Sequence, residues 1–276
     1  MSEIDTFLRW AGGKNWFIPI LRSLIGKTPI NHYHEPFLGG ASCYFALEHK
    51  KESYLSDSNE ELINVYVQVR DNPYELIEKL HVFPNTENDY YRIRQTVFDT
   101  DIERAAQFIY LNQTSFNGLY RVNRSGLYNV PYGFRRNWTY NEERIIVCSK
   151  KLSNARISRG DFEINKTHIK ENDLVFLDPP YTVSHNNNGF IEYNKNLFSL
   201  EDQIRLSKYI DYIKNRKAYY VLTNADHESI REIFDKGDTI QVCTRNSLIG
   251  GKAAERKRIT ELVFTNLPQT EDEEDE

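Results

Sequence analysis

The sequence predicts an α/β fold, an open sheet with helices packed on it and a helical lobe inserted after the second strand. Three observations carry that prediction. The apolar run Leu174-Val175-Phe176-Leu177 has the composition of a strand buried on both faces, and it stops at Asp178-Pro179-Pro180-Tyr181. His34-Glu35-Pro36-Phe37-Leu38-Gly39-Gly40 reads as a strand entering a glycine turn, with helix-like sequence over 41–48. Strand and helix patterns alternate through the carboxyl-terminal half.

The elements follow in order. Residues 54–57 form an apolar strand that ends in Asp57, about 18 positions after Gly39. In nucleoside-binding sheets an acid at this place accepts hydrogen bonds from ribose hydroxyls. A local role is open to the same segment, since Asp57, Ser58 or Asn59 can cap a helix over 60–69. Helical periodicity over 73–112 runs through Leu76, Ile77, Leu80, Ala105, Ala106, Phe108, Ile109 and Leu111. Residues 112–138 are turn-rich and aromatic. Over 104–159 ten basic residues face only Glu142 and Glu143, which reads as a phosphate-tracking surface with Asn123, Arg124, Arg135 and Arg136 among its DNA contacts. A strand is expected at 155–158, and a capped helix over 199–216 has Ser199 as cap and Glu201 and Asp202 near its positive end. Strands at 219–223, 240–243 and 260–265 and a helix at 227–234 complete the sheet. Arg245-Asn246-Ser247-Leu248-Ile249-Gly250-Gly251-Lys252 and Arg256-Lys257-Arg258 make a basic loop before the last strand, either a phosphate contact or a solubilising surface.

Asp178-Pro179-Pro180-Tyr181 puts a carboxylate, a stiffened backbone carbonyl and an aromatic face at a strand's end. Those groups suit an exocyclic amine on a flat ring. The lone pair of such an amine is delocalised into the ring, so it is a poor nucleophile. A carboxylate and a carbonyl that accept its hydrogen bonds hold it and stabilise the positive charge that grows as it attacks an electrophilic methyl group. Tyr181 offers a π face to a base taken out of the stack.

Together these motifs resemble the Dam-type DNA adenine-N6 methyltransferases, the D12 class with the alpha order of motifs, over roughly residues 5–266. The resemblance rests also on Phe7-Leu8-Arg9-Trp10-Ala11-Gly12-Gly13-Lys14 near the amino terminus. It is not a phosphate loop of the Walker type, because Leu8 stands where the first glycine is needed and Asn15 replaces Ser or Thr. The resemblance implies a Rossmann-like S-adenosylmethionine-dependent methyltransferase fold with an inserted target-recognition domain. It further implies S-adenosylmethionine as donor, S-adenosylhomocysteine as product, and duplex DNA as substrate. Trp10, Lys14, Glu35, Phe37, Gly39, Gly40, Asp57, Asp161, Phe162 and Asp178 match cofactor positions, with Ala41 where the family usually has glycine. Phe116-Asn117-Gly118-Leu119-Tyr120-Arg121 and Asn129-Val130-Pro131-Tyr132-Gly133 resemble the recognition hairpin. There Arg121 matches an arginine that reads guanine, Asn117, Leu119 and Pro131 lie against the target, and Arg9 approaches a base. An arginine fork fits the O6 and N7 acceptors of guanine. Members with this hairpin commonly methylate GATC, reached by base flipping.

The expected organisation is a catalytic domain in two parts, 1–68 and 151–268, a DNA-recognition domain at 69–150, and a disordered acidic tail at 269–276. Residues 182–196 are expected to form either a lid over a flipped base or a plain surface loop. Two rivals remain at this point: an amino-group methyltransferase acting on RNA or protein glutamine, and a catalytically inactive DNA-binding regulator. At 276 residues and 39% hydrophobic content the chain can bury a sizeable core. No apolar run spans a bilayer and no signal peptide is evident, so a cytoplasmic protein is expected, with a cognate restriction endonuclease as a conceivable partner. Three widely separated cysteines argue against a disulfide framework. No metal is expected, since His32 and His34 have no acidic or cysteine partner placed by sequence and methyl transfer needs no Lewis acid. The net charge of -5 becomes +1 once Glu271-Asp272-Glu273-Glu274-Asp275-Glu276 are set aside.

Overall fold

A computed structural model describes residues 5–123, 125–134, 140–181, 198–246 and 258–269. The chain divides into two compact units, Met1–Ile18 with Leu38–Ile164 and Pro19–Phe37 with Asn165–Glu276. The strands are β1 (Tyr33–Glu35), β2 (Ser53–Asp57), β3 (Ala155–Arg159), β4 (Leu174–Leu177), β5 (Tyr219–Ala225), β6 (Thr239–Asn246) and β7 (Arg258–Thr265). They order as β3-β2-β1-β4-β5-β7-β6 in a seven-stranded sheet. This is the α/β sheet that the alternating pattern predicts.

In the first unit β2 and β3 pair in parallel, with Asp57 opposite Arg159. The helices are α2 (Ser42–Ala46), α3 (Glu60–Asp71), α4 (Pro73–His81), α5 (Glu87–Gln95), α6 (Asp101–Thr114) and α7 (Glu142–Leu152); α1 (Ile18–Ile25) begins at the unit's edge. On α3 the buried residues Leu62, Val65, Tyr66 and Val69 recur at helical spacing and face α6 and α7. Burying each such apolar side chain contributes about 1.5–3 kcal/mol. Ala105 and Ala106 let α6 approach closely, and Pro73 starts α4 at a position where its missing N–H costs nothing. The periodic stretch 73–112 is thus three helices, interrupted because Thr86 and Thr100 each cap a new one through the N–H of Asp89 and Glu103.

In the second unit β4 pairs in parallel with β1 and β5, and β7 runs antiparallel to both β5 and β6. All four residues of β4 are buried. Helix α8 (Leu200–Asn215) starts at Ser199, whose hydroxyl accepts the Asp202 N–H while Asp202 returns the bond to the Ser199 N–H, a capping box. Helix α9 (Glu228–Phe234) packs Phe234 on Phe264 of β7 with ring centroids 5.8 Å apart. Asp173, fully buried just before β4, lies 3.0 Å from both His32 Nδ1 and His34 Nε2 and accepts the His32 and Lys170 N–H groups. The two histidines therefore do have an acidic partner, one the sequence could not place. Here it brackets the starts of β1 and β4. No helix among the described residues is long and apolar enough to cross a membrane.

Candidate active site

In the first unit the turns around Asp57 converge. The Asp57 carboxylate accepts the Gly39 N–H at 3.0 Å on Oδ2 and the Asn59 N–H at 2.9 Å on Oδ1. Asn59 caps α3 through the Leu62 N–H, so the capping role falls to Asn59 and Asp57 holds the glycine turn. The Asp57 carbonyl accepts the Gly160 N–H at 3.0 Å, tying the turn that carries exposed Asp161 and buried Phe162 to the same strand end. Burial pushes the Asp57 carboxyl above the usual carboxylate range, against the pull of its backbone donors.

Gly39 sits at φ +45°, and a Cβ built on it would stand 2.8 Å from Trp10 Nε1. On Gly40 a Cβ would stand 2.7 Å from the Trp10 Cβ. Only glycine lets this turn run under the indole. Tyr66 fixes the turn from below by donating its hydroxyl to the Gly39 carbonyl at 2.8 Å. Ala41 adopts φ 54°, ψ 28°, a left-handed conformation that costs an alanine about 1–2 kcal/mol and accounts for the glycine usual in the resembling family. Lys14 is buried, and Trp10 stacks on Tyr120 at 5.5 Å and on Phe108 at 6.5 Å. Tyr120 and Phe108 are partners the sequence reading missed, because they lie 110 and 98 positions from Trp10.

The hairpin predicted as the reader is built around α6. Asn112 Oδ1 accepts the Arg9 N–H at 2.9 Å and its Nδ2 donates to the Arg9 carbonyl at 2.7 Å, which ties the amino-terminal segment to the hairpin's start. The Arg9 side chain lies against Gly118, where a Cβ would meet its Nε at 2.6 Å. Asn117 takes φ 56° in the short turn Phe116–Gly118, and Phe116, Asn117, Arg121 and Pro131 are exposed while Leu119 is half-buried. Arg121 Nε donates to Asn129 Oδ1 at 2.7 Å. The Asn123 side chain instead closes its own turn, accepting the Ser125 and Leu127 N–H groups at 2.9 and 3.0 Å. Arg124, Arg135 and Arg136 lie outside the described residues, as do 182–196, most of the basic loop before β7 and most of the acidic tail. At Gly133 a Cβ would stand 2.5 Å from the Ser115 carbonyl oxygen, across the bridge from Ser115 to Tyr132. Gly133→Ala is expected to destabilise the protein by about 1–3 kcal/mol, which thermal unfolding measures; an unchanged midpoint would contradict this packing.

The positive excess counted along 104–159 is partly neutralised in space. Arg104 pairs with Asp101 and Glu61, Arg144 with Asp5, Arg156 with Glu52, and Arg159 with Glu60. Lys151 donates to the Phe45 and Leu47 carbonyls at the end of α2. These partners, five acids and two backbone carbonyls, lie outside the stretch that was counted.

In the second unit β4 delivers Asp178 to its carboxyl end. The Thr223 hydroxyl of β5 donates to Asp178 Oδ1 at 2.7 Å, as expected from the parallel register that sets Leu177 beside Leu222. Pro179 is buried and Pro180 exposed. The Tyr181 hydroxyl donates to Glu261 Oε2 of β7 at 2.7 Å, and Arg245 Nε of β6 donates to Glu261 Oε1 at 2.5 Å. Glu35 is buried and accepts the Tyr33 hydroxyl at 2.9 Å, and Phe37 meets Phe198 edge-on at 5.6 Å. Thr223 and Glu261 were not picked from sequence. Each is a polar residue inside a strand, Thr223 in β5 and Glu261 in β7, and their partners lie 45 and 80 positions away.

The first unit thus holds a glycine turn locked to a strand-end acid, and the second holds Asp-Pro-Pro-Tyr at the end of an inner strand, two features that the resemblance to adenine-N6 methyltransferases implies. The family described as D12 class N6 adenine-specific DNA methyltransferase matches residues 10–248, and the chain belongs to it. It is 35% identical over 275 residues to Type II methyltransferase M1.LlaDCHI of Lactococcus lactis subsp. cremoris, covering 96% of each chain. With Type II methyltransferase M.MjaIII of Methanocaldococcus jannaschii it shares 34% identity over 287 residues, covering 96% of this chain and 99% of the other. Identity to the DNA adenine methylase of Escherichia coli (strain K12) is 28%, covering 97% of each. The protein is an adenine-specific DNA methyltransferase.

Proposed function

We propose that this enzyme methylates N6 of adenine in GATC, using S-adenosylmethionine and flipping the target base out of duplex DNA. The observation that carries the reading is Asp178, held by Thr223 at the end of β4 and followed by the two prolines and Tyr181. In this reading the Asp178 carboxylate and the Pro179 carbonyl accept the amine's hydrogen bonds, draw its lone pair toward attack and stabilise the charge that develops on nitrogen. Pro180 stiffens the turn, and Tyr181 gives the extrahelical ring a face to lie on.

The first unit fits the cofactor on its own geometry. The Gly39-Gly40 turn leaves no room for a Cβ beneath Trp10, and Asp57 presents a buried carboxylate beside it. Asp57 would take the ribose hydroxyls, the glycine turn the methionine end, and Asp161 with Phe162 the adenine ring; Glu35 and Phe37, in the second unit, are cofactor positions on the resemblance alone. Trp10 and Lys14 would line the remaining wall. When bound, S-adenosylmethionine supplies an electrophilic methyl group on a sulfonium. Arg121 would read guanine in the major groove, with Asn117, Leu119 and Pro131 against the target, Arg9 near a base, and Asn123, Arg124, Arg135 and Arg136 along the backbone. Residues 69–150 are then the recognition domain and 1–68 with 151–268 the catalytic one. The type II names of two relatives support a cognate restriction endonuclease as partner.

Asp57 gives this reading a pH dependence. Because burial raises its pKa, it takes up a proton at a higher pH than an ordinary aspartate and then loses an acceptor for ribose. Cofactor affinity is expected to fall as pH drops through that raised value, and Asp57→Asn to flatten the profile. Titrations across pH followed by intrinsic tryptophan fluorescence check this, and identical profiles would remove Asp57 from the ribose site. The raised pKa has the opposite sign for folding: its contribution to stability is lost, not gained, as pH rises through it. Flipping is tested with 2-aminopurine at the target adenine, whose fluorescence rises when the base leaves the stack; no rise would contradict it.

A further inference from the structure

Glu261 is an acid on β7, only 1% exposed, in a strand whose neighbours Leu262, Val263 and Phe264 are also buried. An isolated carboxylate in such surroundings would be neutralised or excluded. This one faces two donors, the Tyr181 hydroxyl at 2.7 Å on Oε2 and the Arg245 Nε at 2.5 Å on Oε1. Arg245 is itself only 23% exposed, so its guanidinium supplies the counter-charge from inside the sheet's edge. The antiparallel register explains the convergence. Glu261 stands opposite Ala225 of β5 on one side and Cys243 of β6 on the other, so its strand lies beside the one that supplies Thr223 to Asp178. A strand position that an aliphatic residue would fill without cost carries instead a charge aimed at the tyrosine of the tetrapeptide.

We propose that Glu261 is the positioning residue of Tyr181, with Arg245 as the counter-ion that keeps it ionised. The proposal rests on the reading of Tyr181 as the face for the extrahelical base. An ionised carboxylate accepts the phenol's hydrogen bond more strongly than a neutral group does, and it fixes the ring's tilt from its far end. A phenol without that anchor turns about its side-chain bonds. The penalty falls on the orientation of the bound base rather than on the grip on DNA, so it belongs in the rate of transfer and not in binding.

The test is a double-mutant cycle of Glu261→Gln and Tyr181→Phe in the full chain, read as single-turnover methyl transfer and, separately, as DNA affinity. Each single change is expected to slow transfer about tenfold, with DNA affinity within about twofold of the parent. The double variant is expected to be no slower than the slower single one, because both changes break the same bond. Losses that multiply, or a Glu261→Gln enzyme as fast as the parent, would overturn the proposal. So would a loss confined to DNA affinity, the mark of a merely structural role. If Glu261→Gln does not fold, Glu261→Asp takes its place in the cycle, keeping the charge but drawing it back from the phenol. The rate cycle decides Glu261 whether or not the base flips. A parent enzyme that gives no 2-aminopurine signal would overturn the stacking reading alone.

Discussion

Asp178→Ala is expected to slow methyl transfer by at least about 10²–10³-fold while leaving DNA binding in place. Asp178 is only half-buried at the end of β4, so its removal costs the core little. What disappears is the charged acceptor that the amine needs as its nitrogen becomes positive. Asp178→Asn keeps the shape and loses the charge, so a similar loss there would assign the effect to electrostatics. Single-turnover transfer measured beside DNA binding by fluorescence anisotropy checks both. Equal turnover by the alanine variant and the parent would remove Asp178 from the chemistry.

The second large effect concerns specificity. Arg121 is exposed, yet its guanidinium is braced, with Nε on Asn129 Oδ1 at 2.7 Å and Nη2 toward the Asn129 carbonyl at 3.4 Å. A braced fork loses less side-chain freedom when it engages a base. A bidentate contact to guanine discriminates by about 1–3 kcal/mol, so Arg121→Ala is expected to lower the preference for the cognate duplex over one with that guanine replaced by roughly 5- to 150-fold. Competition between the two duplexes measures it. An unchanged preference would refute the assignment, whereas equal weakening on both would make Arg121 a phosphate contact.

Local patterns were legible in the sequence and long-range partners were not. The apolar run at 174–177 coincides with β4, and Ser199 caps α8 as expected, because strand burial and helix capping are written within a few residues. Helix α7 went unread: its lysines and arginine drew attention as charge, although Ile145, Cys148 and Leu152 mark its buried face at helical spacing. Burial pushes the Cys148 thiol up to about 12, the behaviour of a core residue. The glycine turn was legible as a turn, but its lock on Asp57 and its passage under Trp10 needed the fold. For the same reason the brace of Tyr181 was out of reach, since Glu261 lies 80 positions away and no local pattern marks the pair. Counting charge along the chain misled for a related reason. The partners of Arg144 and Arg156 are Asp5 and Glu52, 139 and 104 positions away.

The most direct test of the central claim uses labelled S-adenosylmethionine and two short duplexes that differ only in GATC against GTTC, with the modified nucleoside identified by mass spectrometry. N6-methyladenine in the GATC duplex alone is the predicted result. Label in both duplexes alike, in neither, or on any other nucleoside would contradict it.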